Sequence, residues 1–139
     1  MDAQIKIRGT VSTGMGEGRY FMSIAGYEIQ LNAALGFHPY PGTLNLKLEG
    51  EELGKLKRLK EMPGITIKGF SSPGKTFGDV MCYVAVIRGL QCAIVIPLLS
   101  RHTDVLEVIA KDNLRDELGL SDGMSVEVIV KPDPREAKY

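Results

Sequence analysis

Residues 43–48, Thr-Leu-Asn-Leu-Lys-Leu, alternate polar and apolar side chains without a break. A segment of that kind is a strand with one buried face, because successive side chains of a β-strand point to opposite sides. Leu44, Leu46 and Leu48 then share the core face, and Thr43, Asn45 and Lys47 share the other. Short β-like runs recur along the chain, punctuated by 16 glycines and 7 prolines. Residues 4–13 read as a strand with Ile5, Ile7 and Val11 as its apolar positions. Residues 20–24 and 28–31 read as short strands around a turn at Ala25-Gly26-Tyr27. Residues 65–70, Val105–Ala110 and Ser125–Val130 read as further strands, and 80–88 and 91–97 as a hairpin through Gly89-Leu90. Segments 35–42, 71–79 and 98–104 read as loops. Two short helices are expected. One covers 50–62, with Leu53, Leu56 and Leu59 at helical spacing and Pro63-Gly64 beyond it; the other covers 113–118 and stops at Gly119. Many short strands with one or two helices predict a mostly β chain folded as a closed or partly closed barrel, not a doubly wound sheet.

The chain has 139 residues, enough for one domain with a real core; the expected limits are 1–132, followed by a polar tail at 133–139. Hydrophobic residues make up 44% and the formal net charge is zero, which weighs against a duplex nucleic-acid binder. The N-terminus MDAQIKIRG lacks an apolar stretch of signal-peptide length, and no apolar run reaches the length of a membrane span. A cytoplasmic monomer with no nucleic-acid or membrane partner is the expectation. Cys82 and Cys92 lie in apolar runs and read as buried free thiols, a disulfide being possible only if their strands align. Together with His38 and His102 they lack zinc-ligand spacing.

Two segments depart from ordinary core patterning. Residues 9–19, GTVSTGMGEGR, hold Gly9, Gly14, Gly16 and Gly18, and residues 36–46, GFHPYPGTLNL, place Pro39, Pro41 and Gly42 ahead of the alternating strand. Glycines so spaced weaken a strand and are tolerated where a ligand or another backbone comes close. GMGEGR at 14–19 offers backbone N–H groups without side-chain bulk, as a phosphate cradle does, or forms a purely structural hairpin. It is no Walker loop, because no GK[ST] follows at the required spacing. Thr43 and Asn45 present a hydroxyl and an amide oxygen on one strand face, hard ligands suited to Mg²⁺ arriving with nucleotide phosphates, or simply two exposed polar groups. Glu107 interrupts the apolar run VLEVIA. It is either a general base or an outward-facing carboxylate on a half-buried strand. Asp112, Asn113, Leu114 and Arg115 follow; Asn and Arg read base edges or phosphates, and equally make a helix cap and a surface charge. Lys75 in SSPGKT could touch phosphate from its loop, although most such loops do not.

Taken together, GTVSTGMGEGRYFM, LGFHPYPGTLNLKL and DVLEVIAKDNLRDELGLSDGMSVEV resemble the archaeal CTP-dependent riboflavin kinases over nearly the whole chain. The resemblance implies a single-domain, Greek-key-like cradle-loop β-barrel that moves the γ-phosphate of CTP to the ribityl 5′-hydroxyl of riboflavin with Mg²⁺, giving FMN and CDP. It assigns Gly14, Met15, Gly16, Glu17, Gly18 and Arg19 to the nucleotide loop, and Asp112, Asn113, Leu114 and Arg115 to a second nucleotide segment. Thr43 and Asn45 become the metal pair, and Glu107 the base beside the flavin. Ser100 or Thr103 supplies a hydroxyl to flavin. Some relatives carry an added N-terminal DNA-binding domain, which this chain is expected to lack. Two rival readings are a DNA-binding regulator built on a swapped-hairpin barrel, suggested by the ending LGLSDGMSVEVIV, and a flavin-binding module without kinase activity.

Overall fold

In the computed structural model, which describes residues 4–13, 25–40, 42–98 and 104–131, strand alternation sets the layout. Strand β1 (Ile5–Ser12) buries Ile5, Ile7 and Val11 and exposes Lys6 and Arg8. Along the chain follow α1 (Ala25–Leu35), β2 (Leu44–Lys47), α2 (Glu51–Lys60), β3 (Ile65–Ile67), β4 (Phe70–Ser72) and β5 (Lys75–Phe77). The hairpin β6 (Val80–Ile87) and β7 (Leu90–Pro97) turns at Arg88-Gly89; β8 (Val105–Ala110), α3 (Leu114–Leu118) and β9 (Ser125–Val130) complete the described elements. The strands pair antiparallel in the order β6-β7-β8-β2-β1-β9, and β9 returns to β6 through Ala85↔Val130 and Val86↔Ile129, closing a barrel. Strand β3 pairs with the start of β6 outside that ring. Closure leaves the ring without a free edge.

Two apolar clusters lie on opposite sides of the barrel wall. Inside are Leu44, Leu46, Leu106, Val108, Ile94 and Val128 with their neighbours. Outside, α1 lays Tyr27 and Leu31 over Cys82, Ala93, Val95 and Ile109. Cys82 belongs to the outer cluster and Cys92 to the inner one; both are free, and burial pushes each thiol up to about 12. Their side chains point away from each other, so the strands do not align for a disulfide.

The helix α1 replaces the strand expected at 28–31 and the turn expected at Ala25-Gly26-Tyr27. Alternation would put Ile29 and Leu31 on one face, yet Leu31 is buried and Ile29 is 71% exposed. The buried set is Tyr27, Leu31 and Leu35, recurring every fourth residue, which is the helical period. Residues 20–24 lie outside the described residues. The loop expected at 71–79 contains the β4–β5 hairpin, turned at Pro73-Gly74 with Gly74 at φ 79°. That positive φ is open to glycine, and proline before it presets the turn. The strand expected through residue 70 ends at Ile67, and Phe70 begins the hairpin. In α2, Leu56 and Leu59 are buried but Leu53 is exposed, so the inward stripe is narrower than the leucine spacing suggested. Among the described residues, no helix is long and apolar enough to cross a membrane.

Candidate functional site

The register of β2 and β8 decides the site. Asn45 pairs with Glu107 and Leu46 with Leu106. Directly opposed residues of an antiparallel pair project to the same side, with Cβ atoms about 4.5–5.5 Å apart. Leu46 and Leu106 enter the barrel interior, so Asn45 and Glu107 share the outer wall. Both are buried, at 7% and 6% exposure. Glu107 thus faces outward from the barrel, as one reading of the sequence expects, but is buried there and not exposed to solvent.

Asn45 opens onto a cavity of about 500 Å³, within the range of small-molecule sites. Its wall includes Thr43, Asn45, Asp112, Asn113, Leu114 and Arg115, so one cavity gathers both the expected metal pair and the second expected nucleotide segment. Thr43 Oγ1 donates to Asn45 Oδ1 at 3.3 Å. The edge of an octahedron around Mg²⁺ with ~2.05 Å bonds is about 2.9 Å, so these two oxygens fit neighbouring positions on such an ion after a small adjustment. Among the described residues no cluster of three or more His, Cys, Asp or Glu side chains offers an alternative metal cage. Two neutral hard oxygens suit an ion that brings its own phosphates.

The far wall is held by a cap and an ion pair. Asn113 caps α3: its side-chain oxygen accepts from the backbone N–H of Arg115 at 3.0 Å and of Asp116 at 3.4 Å, while its amide donates to the Tyr40 hydroxyl at 3.3 Å. Gly119 closes the helix at φ 61°. Arg115 donates to Asp122 Oδ1 at 2.9 Å and to Thr13 Oγ1 at 3.1 Å, and Thr13 in turn donates to Asp122 at 2.7 Å. These bonds tie the end of β1 to α3 and to the turn before β9. They also hold the Asp122 carboxyl below the usual carboxylate range, chiefly through the Thr13 hydroxyl and then through Arg115. Leu114 is buried in the inner cluster and braces the wall from behind. Tyr40, 40% exposed, stands at the lip; its N–H donates to Ala110 O at 2.7 Å and pins the proline-rich loop to the end of β8.

Glu107 borders a second, more apolar hollow of about 170 Å³, walled by Leu56, Tyr83, Val95, Pro97 and Val105 among others. The Asn45–Glu107 pair thus stands where the two hollows approach each other. At that size the described walls enclose only part of a tricyclic ring. Gly14, Met15, Gly16, Glu17, Gly18 and Arg19, and likewise Ser100 and Thr103, lie outside the described residues. Ser12, Thr13 and Tyr40 line the large cavity without having been singled out from the sequence. Two hydroxyl residues running straight into a glycine-rich segment were the signal for the first pair, and an aromatic between two prolines was the signal for Tyr40. Gly9, by contrast, has a packing reason: a Cβ there would lie 2.8 Å from Leu46 Cβ and 2.9 Å from Leu48 Cδ2, so it lets β1 close on β2.

Against known proteins, the family model CTP-dep_RFKase, described as Domain of unknown function DUF120, matches residues 11–130. A riboflavin kinase of Archaeoglobus fulgidus is 49% identical over 130 residues, 93% of this chain and 56% of the relative. A riboflavin kinase of Picrophilus torridus is 44% identical over 94% of this chain and 59% of its own length. One from Thermoplasma acidophilum is 41% identical over 91% and 57%. The chain thus spans a little over half the length of these curated relatives.

Proposed function

The chain belongs to the CTP-dep_RFKase family, and on that premise we propose that it phosphorylates riboflavin at the ribityl 5′-hydroxyl, with CTP as donor and Mg²⁺ as the accompanying ion, giving FMN and CDP. The observation that carries this reading is the cross-strand pair of Asn45 and Glu107, which sets a hard cation ligand beside a buried carboxylate between two hollows. Phosphoryl transfer is mainly a matter of positioning and of neutralising charge, and this arrangement fits both needs.

The larger, more polar cavity takes the nucleotide and the smaller apolar one takes part of the flavin. Thr43 and Asn45 hold Mg²⁺ by their side-chain oxygens. Bound there, the ion offsets the charge of the terminal phosphates. Glu107 accepts the proton of the 5′-hydroxyl as that oxygen bonds to the γ-phosphorus. The bond from the γ-phosphorus to the bridging oxygen breaks, and its electron pair leaves with CDP. Asp112 and Asn113, which line the cavity, meet the cytosine edge, where a wrong base would leave polar groups unpaired. Arg115 faces phosphate from the same wall. Residues 14–19 cradle the phosphates through backbone N–H groups, and Ser100 or Thr103 meets the flavin.

The test is one incubation of the protein with riboflavin, Mg²⁺ and each of the four nucleoside triphosphates, followed by chromatography for FMN. FMN formed with CTP well ahead of ATP is the expected result. Equal or better turnover with ATP overturns the CTP assignment. Riboflavin binding without FMN from any nucleotide makes the chain a flavin-binding module.

A further inference from the structure

Ser12 stands opposite Asn45, and Asn45 opposite Glu107, so one row of the outer barrel wall runs Ser12, Asn45, Glu107 across three strands. Ser12 also lines the large cavity beside Thr43 and Asn45. Its Oγ is shielded from solvent and has no hydrogen-bond partner among the described residues. The neighbouring hydroxyl makes the contrast: Thr13 Oγ1 is committed to the Asp122 carboxylate at 2.7 Å. A shielded hydroxyl without a partner has lost its bonds to water and gained none in return. Such groups are rare in folded proteins, and each calls for a physical reason, of which a bound water, ion or ligand is one.

The chemistry of the row indicates what completes it. The Thr43 hydroxyl proton is already given to Asn45 Oδ1, and the two oxygens keep lone pairs for a cation. Ser12 has what they lack there, an O–H proton with no other taker. Phosphate oxygens only accept hydrogen bonds, and a bond from a hydroxyl to an anionic oxygen is stronger than one between neutral groups. Resting on the nucleotide reading above, we propose that Ser12 is a nucleotide-binding residue whose hydroxyl donates to a phosphate oxygen of the bound triphosphate, next to the cation pair.

The test uses wild type, Ser12→Ala, Ser12→Val and Ser12→Thr. Each is melted without ligand, then titrated calorimetrically with CTP and Mg²⁺ in the absence of riboflavin, with riboflavin titrated separately. Ser12→Ala and Ser12→Val should melt at or above wild type, because the orphan hydroxyl is gone, while their nucleotide affinity falls about tenfold or more. Ser12→Thr keeps the hydroxyl and should bind nucleotide nearly as wild type does. Riboflavin affinity should not move in any of them. Wild-type nucleotide affinity in both Ser12→Ala and Ser12→Val overturns the assignment and leaves the kinase reading intact. So does an equal loss in Ser12→Thr, which would make the shape of the site responsible instead of the hydroxyl. A wild-type protein that takes up no CTP with Mg²⁺ removes the nucleotide reading itself, and the Ser12 assignment with it.

Discussion

Asn45 on β2 and Glu107 on β8 are direct cross-strand partners, both nearly excluded from solvent and both on the outer wall of the barrel. A carboxylate and a proposed cation ligand held side by side by two strands of a closed barrel would need little rearrangement before the proposed transfer. Preorganisation of this kind is where enzymes that move phosphoryl groups gain most of their rate.

Glu107→Gln keeps the size and most of the hydrogen bonding of the side chain but removes the proposed base. We expect kcat to fall by about 10²–10⁴-fold, with little change in CTP affinity. Steady-state kinetics alongside CTP titration checks this. Normal turnover in Glu107→Gln together with lost flavin affinity in Glu107→Ala would make the residue a ligand holder and move the base elsewhere.

Thr43→Ala and Asn45→Ala should each nearly abolish turnover while leaving riboflavin binding in place. Because the two oxygens are 3.3 Å apart and are proposed to serve one ion, the double variant should lose little beyond either single one; residues that act as a unit are not additive. The measurement is rate against Mg²⁺ concentration for all four proteins. Independent, additive losses would separate the two side chains from a shared ion.

Gly9→Ala should destabilise the fold by roughly 1–3 kcal/mol, the usual cost of forcing extra volume into a packed core. The new methyl would sit 2.8 Å from Leu46 Cβ, an atom tied to the β2 backbone that cannot swing aside. Strand β1 must then lift away from β2. Urea denaturation reads the effect as a lower midpoint, and an unchanged midpoint would mean that the strands separate at no cost.

Asp122→Asn should lose stability at neutral pH and not in acid. The carboxyl is held low in the folded protein by the Thr13 hydroxyl first and by Arg115 second. A depressed folded pKa contributes stability above the unfolded value, about 3.8, and that contribution disappears as pH falls through the folded one. Melting temperatures of the two proteins should therefore differ at pH 7 and converge below about pH 3.8. The gap will be small, because the pair is exposed. A gap of constant size across that range would assign the effect to something other than the ionised carboxylate.

Local patterns in the sequence made much of the barrel legible. The alternation in residues 43–48 places Leu44 and Leu46 inside and Asn45 outside, and the same logic turns Glu107 away from Leu106 and Val108. Gly119 stops α3 where the sequence indicates. The misreading at 28–31 has a physical cause. Four residues, Glu-Ile-Gln-Leu, fit a period of two as well as a helix, and only the longer spacing from Tyr27 to Leu31 to Leu35 separates the two. Gly9 stood among the glycines read as facing either a ligand or another backbone, because a missing side chain shows that something comes close without showing what; here it is strand β2 and the residue after it, at Leu46 and Leu48.

By itself, then, the sequence determined most of the barrel strands, which side of each is apolar, and which polar residues break the apolar faces. These follow from side-chain direction, a property of each residue and its immediate neighbours. Only the tertiary structure decided that β2 lies between β1 and β8, and in a register that lines up Ser12, Asn45 and Glu107. Register comes from pairing between segments distant in the chain and from closure of the ring, and a slip of one residue would send Asn45 to the other side of the wall. Nothing within β2 encodes which strand stands beside it, so the site became visible only when the barrel closed.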